Sequence, residues 1–396
     1  MNAELASQAL LLWASMTAGP LLVASHRRAR RLREAGAQRG ASTGLELSES
    51  EVHLVRPCAG AEPELVRSLS SLPDTAGARL VVSFCIERED DAARPAIDVA
   101  LAALFARGVE ARLVISRAAG PNRKVQQILA ALQELPTSDP DRQVVLVVDS
   151  DVDLEGHPIS ELVLPLERDA RVGAVWAPPH EAGTPSAPGD LASGALLGAS
   201  LHSFALLAEL DPAGLVGKCF AARRSTLERT VRLDELDRYL GEDMELSRRL
   251  AAQGASIVVG ATGVRSLAAG RQLGATVERF GRWLAVIRAQ RPALLVSYPL
   301  MFFPLLSIAF SALLLATPLA LAAVAVALGV RIATAWAARR ATSGSTRFGD
   351  LVRDVVLAET TLAAAWLRAL SSRRFAWRER WMRLGPDGRL LAVDPR

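Results

Sequence analysis

The stretch that most constrains this chain is Val144-Val-Leu-Val-Val-Asp-Ser-Asp-Val-Asp-Leu154, a Val-rich apolar run that stops abruptly in acid. A continuous run of this kind reads as a strand buried on both faces, at the centre of a parallel sheet. In an open α/β sheet, ligands bind beyond the carboxyl ends of the strands, which is where Asp149, Asp151 and Asp153 fall. Asp149 and Asp151 are two residues apart and share a face of an extended chain. As the backbone turns at the strand's end, both can reach one hard cation. Mg²⁺ or Mn²⁺ takes such oxygen ligands and keeps diphosphate oxygens for the rest of its shell. The stretch reads as a metal–diphosphate site, with a plain acidic turn after a strand as the competing reading.

The flanking sequence supports an α/β domain. Residues 52–55, 78–86 and 110–116 read as strands, and helical patterns over 63–72, 97–107 and 125–135 separate them. Strand–helix alternation at this spacing predicts a mostly parallel, Rossmann-like sheet. No Gly-x-Gly-x-x-Gly or Walker sequence follows any strand, so a bound nucleotide needs another device. Ala119-Gly-Pro-Asn-Arg-Lys124 offers one, because a helix N-terminus with a nearby lysine suits a phosphate. Asn122 as a turn residue and Lys124 as a solvated charge is the alternative. Residues 175–200 are rich in Pro, Gly, Ala and Ser and read as a loop, either gating the site or lying on the surface. Glu242 and Asp243 open an amphipathic helix, where the dipole favours acid. An acid so placed can also deprotonate an acceptor hydroxyl.

Half of the 396 residues are apolar, and the formal charge of +4 is carried almost entirely by arginine. The only lysines are Lys124 and Lys218, which singles out those two positions. Three cysteines and five histidines, scattered and without ligand spacing, argue against a disulfide framework or a zinc site. With few aromatics and no basic–aromatic interleaving, nucleic acid is not an expected partner.

Residues 5–25 carry no charge, about 30 Å of helix and enough to cross a bilayer. Arginines follow at once, so the positive-inside rule sets the N-terminus outside and the following domain in the cytoplasm. Residues 293–330 are also uncharged, enough for two further spans. Residues 350–370 are apolar but hold Arg353, Asp354, Glu359 and Arg368, which favours a helix lying in the interface. The expected plan is therefore a transmembrane helix over 1–26, a basic linker over 27–50 and a catalytic domain over 51–275. An interfacial helix over 276–291 and a transmembrane pair over 292–338 come next. An interfacial helix and basic, aromatic tail close the chain over 339–396.

Taken in order, these pieces resemble the ceramide glucosyltransferase family, glycosyltransferase family 21, over about residues 52–384. Asp149-Ser-Asp-Val matches that family's Asp-Ser-(Asp/Gly)-(Ile/Val) block, and Pro121-Asn-Arg-Lys-Val125 its Asn-x-Lys-(Val/Ile) element. Gly217 through Arg223 resembles a Gly-x-x-x-x-x-Arg stretch, and Glu242-Asp243 the Glu-Asp motif. Arg279-Phe-Gly-Arg-Trp283 fits the (Gln/Arg)-x-x-Arg-Trp signature, and Trp377-Arg-Glu-Arg-Trp-Met-Arg-Leu384 a family tail motif, with Met382 where that motif has Tyr. Asp153 departs from the family's frequent Arg. Asp190 is the candidate for a middle family carboxylate.

The resemblance implies a GT-A fold: a Rossmann-like, mostly parallel α/β domain, cytoplasmic, with N-terminal and C-terminal transmembrane helices. It implies inverting transfer of glucose from UDP-glucose to the primary hydroxyl of ceramide, with Mg²⁺ or Mn²⁺ held at Asp149 and Asp151. Asp243 would be the base, with Glu242, Arg279, Arg282 and Trp283 in the catalytic set. Arg56 and Glu87, at the ends of the first two strands, join Asn122, Lys124 and Asp149 as candidate nucleotide-sugar-binding residues. The partners are then a UDP-sugar donor, a membrane lipid acceptor and the bilayer itself. Hopanoid or diacylglycerol as acceptor, a processive polysaccharide synthase and a non-catalytic membrane scaffold are the rival readings.

Overall fold

The computed structural model describes residues 2–41, 47, 51–117, 120–136, 139–371, 374–377, 380–385 and 387–392. Its strands in chain order are β1 (Glu51–Pro57), β2 (Arg79–Ile86), β3 (Glu110–Ile115), β4 (Gln143–Val148), β5 (Val152–Asp153), β6 (Val172–Trp176) and β7 (Pro179–Glu181). They continue with β8 (Cys219–Arg223), β9 (Ser256–Val259), β10 (Val264–Ser266), β11 (Arg374–Trp377), β12 (Arg380–Leu384) and β13 (Leu390–Ala392). The α-helices begin with α1 (Ala3–Met16), α2 (Ala18–Ala41), α3 (Leu65–Ser70), α4 (Arg94–Ala106), α5 (Arg123–Gln133), α6 (Ser160–Arg168) and α7 (Pro188–Gly198). They end with α8 (Phe204–Leu210), α9 (Glu242–Ala252), α10 (Leu273–Gln290), α11 (Pro292–Ser297), α12 (Pro304–Leu315), α13 (Pro318–Ala341) and α14 (Phe348–Ser371).

Contacts divide the chain into two compact units. One, the sheet unit, holds Arg31–Thr184 and Asp211–Ala269; the other, the helical unit, holds Met1–Arg30, Pro185–Leu210 and Gly270–Arg396.

The sheet unit is built on seven strands in the order β3-β2-β1-β4-β8-β6-β9. All neighbouring pairs are parallel except those of β8, which runs antiparallel to both β4 and β6. The mostly parallel α/β sheet expected from the sequence is therefore present. Every residue of β4 is buried, as its unbroken Val-rich run requires. Val52, Leu54, Val82, Phe84, Leu146 and Val148 pack with Leu104 of α4 and Leu162 of α6 into one core. Burying each such side chain contributes about 1.5–3 kcal/mol. Past the end of β4 the chain enters a second, three-stranded sheet, β5-β10-β7. There Asp153 is buried and paired with Arg265 at 2.6 Å and with Arg67 at 3.5 Å, so its charge is satisfied within the protein.

The helical unit packs α1 against α13 through small side chains. Ala14, Ala312, Ala320, Ala323 and Ala327 are all buried in one cluster with Leu10 and Ile308. Small residues let helix backbones approach closely, which is how helices associate where there is no water to expel. Ala3–Ala37 and Pro318–Ala341 are each long and apolar enough to cross a membrane. The sequence suggested a transmembrane pair at the C-terminal side, but its first member is broken. Pro292–Phe302 and Pro304–Leu315 meet at 67°, because a proline at the start of α12 cannot extend the preceding helix.

Three further segments differ from expectation. The basic linker is helical as far as Ala41, since Arg, Ala and Glu are strong helix formers. Its Arg27 donates to the Glu209 carbonyl at 2.7 Å. The remaining linker residues 42–46 and 48–50 lie outside the described set. Within the Pro/Gly-rich stretch at 175–200, α7 forms, with Pro188 in its first turn and Asp190 accepting backbone N–H groups there. On α14, two of the four charges noted in the sequence, Asp354 and Glu359, turn inward, while Arg353 stays half-exposed. Glu359 lies 2.8 Å from Arg331, both almost fully buried, and Asp354 accepts from Arg339 at 2.9 Å. The tail forms the antiparallel strands β11 to β13, although Arg378 and Glu379 of the tail motif lie outside the described residues.

Candidate active site

In the sheet unit, the end of β4 meets the starts of α5, β8 and α9. Asn122 caps α5, its Oδ1 accepting from the Val125 N–H at 3.3 Å. Its amide nitrogen donates to the Tyr239 carbonyl at 2.9 Å and to Glu242 Oε2 at 3.2 Å. Fully buried and committed to these partners, Asn122 ties the start of α5 to the start of α9 and so positions Lys124.

The Lys124 ammonium lies 2.7 Å from Asp149 Oδ1, 2.7 Å from the Gly217 carbonyl and 3.4 Å from Glu242 Oε1. Burial alone would lower its pKa, but Asp149, Glu242 and Asp243 outweigh that and raise it, so the group is cationic. Asp243, in the first turn of α9, accepts from the Gly217 N–H at 3.0 Å and the Met244 N–H at 2.9 Å. Burial raises the Glu242 carboxyl above its ordinary value, Lys124 opposes this, and the charge of Asp243 adds to the rise. Carboxylates with separated environments, one of them beside a fixed cation, are the arrangement acid–base chemistry requires.

The second lysine takes the second aspartate. Lys218 ion-pairs with Asp151 Oδ2 and lies 2.9 Å from Ser266 Oγ, which itself lies 2.8 Å from the same carboxylate oxygen. The Lys218 carbonyl accepts from the Asp149 N–H at 2.9 Å, which fixes the start of β8 to the end of β4. The scarcity of lysine was the sequence's signal for Lys218. Gly217 stood inside a quoted motif without an assigned role. Ser266 left no signal, because only the pairing of β10 with β5 brings it to Asp151.

Two further expected ligand residues have partners within the protein, and Arg56 Nη1 lies 3.5 Å from the Asp149 carbonyl. Arg56 is fully buried and donates to the Val152 carbonyl at 2.9 Å and to Ser71 Oγ at 3.3 Å. Burial lowers its guanidinium to about 10. It buttresses the acidic turn from within the protein. Glu87 pairs with Arg123 at 2.8 Å and links the end of β2 to the first residue of α5.

Among the described residues no three His, Cys, Asp or Glu side chains gather to hold a metal. Two carboxylates nonetheless suit Mg²⁺ or Mn²⁺ when substrate phosphates supply the other oxygens. The donor chemistry of Asp149 and Asp151 fits such an ion, with the two ammoniums competing for the same oxygens.

The helical unit carries the remaining candidates on α10. The Arg279 guanidinium lies over the Trp283 ring at 5.0 Å and over the Phe280 ring at 5.5 Å, and donates to Ser193 Oγ at 3.3 Å. Trp283 meets the Phe280 ring edge-on at 5.1 Å. Arg282 makes no hydrogen bond or ion pair with the described residues, and burial lowers its pKa. Gly281 between them lets α14 approach, since a β-carbon there would lie 3.0 Å from Arg368 Cγ. Arg368 in turn pairs with Glu278 at 2.8 Å. Asp190 accepts backbone N–H groups from Ser186 at 3.0 Å, Ala187 at 3.1 Å, Gly270 at 2.8 Å and Arg271 at 3.0 Å. That carboxylate clamps the start of α7 to the segment entering α10.

A family model described as glycosyl transferase family 21 matches residues 14–390. No curated protein matches the chain. Among solved structures it is similar to a mannosyltransferase, PcManGT, from Pyrobaculum calidifontis in complex with GDP-Man and Mn²⁺. That likeness has 16% identity and a TM-score of 0.42, over 91% of this chain and 99% of the other. It is also similar to glucosyl-3-phosphoglycerate synthase from Mycobacterium tuberculosis, with 17% identity and a TM-score of 0.37, over 60% of this chain and 79% of the other.

Proposed function

This chain belongs to glycosyl transferase family 21, and on that premise we propose that it transfers glucose from UDP-glucose to the primary hydroxyl of ceramide. Membership of this family makes the protein a nucleotide-sugar glycosyltransferase. One observation carries the reading: Lys124 stands against Asp149, Glu242 and, through Gly217, Asp243, at the carboxyl end of the central strand.

In the proposed mechanism, Asp243 removes the proton from the acceptor hydroxyl as that oxygen attacks the anomeric carbon. The bond from that carbon to the diphosphate breaks on the opposite face, so an α-linked donor gives a β-linked product. Lys124, held by Asn122 through the helix cap, stabilises charge on the departing UDP. A divalent ion at Asp149 and Asp151 would supply further neutralisation of that leaving group. Glu242 keeps Lys124 in place. Arg279, Arg282 and Trp283 complete the proposed catalytic set, and the Arg282 guanidinium makes no hydrogen bond or ion pair with the described residues. Apolar helices suit a two-chain acceptor, because drawing a lipid out of the bilayer costs about 0.8 kcal/mol per exposed methylene. We place the catalytic unit on the cytoplasmic side.

Product analysis by mass spectrometry tests this. Purified protein in detergent receives UDP-glucose and divalent metal with ceramide, hopanoid or diacylglycerol in separate reactions. Hexosylceramide is the expected product, and transfer only to another lipid would overturn the acceptor. Asp243→Asn is expected to lower turnover by about 10²–10⁴-fold with UDP binding and melting temperature unchanged. Retained turnover in that variant would remove Asp243 as the base.

A further inference from the structure

We propose that Lys218 is a tethered counter-cation: it neutralises Asp151 before the donor arrives and passes to the donor diphosphate when a divalent ion takes Asp151. This rests on the glycosyltransferase reading and extends it to a residue without an assigned role.

The chain's only two lysines stand against its two Asp-x-Asp carboxylates, Lys124 at Asp149 and Lys218 at Asp151. In an arginine-rich chain, this use of lysine has a chemical reason. A compact ammonium on a flexible four-carbon stem can change partners by rotation, whereas a planar guanidinium gains most from one fixed, two-pronged geometry. The two lysines are held differently. Lys124 contacts three oxygens, on Asp149, Gly217 and Glu242, which account for its three donors and keep it where it is. Lys218 has Asp151 and the Ser266 hydroxyl, and its backbone is anchored by the Asp149 N–H on its carbonyl. Its side chain can therefore swing while the strand stays in register.

Charge also requires an exchange. Asp149, Asp151, Glu242 and Asp243 outnumber the two ammoniums, and an anionic diphosphate adds more negative charge to the cluster. Before the donor binds, an uncompensated Asp151 would be costly in a half-buried site. A divalent ion held there would repel the Lys218 ammonium, and an anionic diphosphate bound at the same carboxylates would offer that ammonium a new partner. Ser266, on the same Asp151 oxygen, keeps that carboxylate oriented during the exchange.

The test uses full-length protein in detergent, with free Mn²⁺ measured by EPR in the absence of nucleotide and UDP binding measured by calorimetry in saturating Mn²⁺. Lys218→Met removes the charge and keeps the stem. It is expected to bind Mn²⁺ roughly tenfold tighter than wild type and, with Mn²⁺ saturating, UDP roughly tenfold more weakly, as for the loss of one ion pair. Ser266→Ala, which loosens Lys218 without removing it, is expected to shift Mn²⁺ affinity in the same direction by less. Unchanged Mn²⁺ affinity in Lys218→Met, with wild-type UDP binding intact, would overturn the exchange alone. Wild-type protein that bound neither Mn²⁺ nor UDP would overturn the underlying reading as well.

Discussion

A β-carbon at position 217 would lie 3.2 Å from the Lys124 ammonium and 3.3 Å from the Asp243 β-carbon, so glycine there sets how closely cation and carboxylate approach. Gly217→Ala would force both to move by a few tenths of an ångström. We expect the protein to fold and kcat/KM to drop about tenfold, in line with the steep dependence of rate on positioning. Wild-type kinetics in that variant would show that the approach has no role. Asp190 illustrates a carboxylate spent on architecture. Burial pushes its pKa up, yet backbone N–H donors from four residues outweigh that and hold it below the ordinary value. A carboxyl depressed on folding contributes stability that is present above its unfolded pKa, near 3.9, and lost as pH falls through the folded value. Asp190→Asn should therefore lower stability by about 1.5–3 kcal/mol at neutral pH, with the deficit shrinking as pH falls below about 4. A deficit independent of pH, read from melting curves, would exclude the ionised clamp.

At the scale of elements, α13 and α14 show why charge along a helix does not locate it. Arg331 and Glu359 lie 2.8 Å apart without hydrogen-bond alignment, in a setting that admits almost no solvent. Removing one partner of such a pair strands a buried charge. Glu359→Gln is expected to destabilise the protein by about 3–5 kcal/mol. The double variant Arg331→Met with Glu359→Leu should recover part of that loss, because no charge is left buried, while the Leu306 N–H and the Phe302 carbonyl lose their side-chain partners. Thermal melting in detergent distinguishes these outcomes, and a double variant no better than the single one would show that the pair itself holds the helices. The same logic governs α10, where Gly281 and the Glu278–Arg368 pair fix the helix that presents Arg282 and Trp283.

For the whole molecule, the helical unit sets which chain ends share a side. Ser7 and Thr317 hydroxyls lie 2.7 Å apart, so the turn between α12 and α13 sits at the N-terminal end of α1. Despite its break, the segment from Pro292 to Leu315 carries the chain back to that end. Cysteines introduced at Asn2 and Ala316 should label from one side of a sealed membrane, and one at Arg340 from the other. The native cysteines are all buried, which keeps the background low. Labelling of Asn2 and Ala316 from opposite sides would contradict the arrangement.

What the sequence determined alone was everything carried by a local pattern. The Val-rich β4 and its acidic end were legible because a strand buried on both faces must be apolar throughout, and polarity can return only where it stops. Uncharged runs marked the apolar helices by length, and a rarity of lysine marked the two cations of the site. Tertiary structure decided whatever depends on residues distant along the chain. Arg56 became a buttress because β1 places it beneath the turn after β4, where carbonyls need donors. Asp190 became a clamp because the backbone N–H groups of Gly270 and Arg271 are brought to its carboxylate. Ser266 reached Asp151 only through the pairing of β10 with β5, and the buried Glu359 and Asp354 of α14 met Arg331 and Arg339 because α13 lies alongside. Periodicity reports which groups must leave water; it is silent on which partner each will meet there.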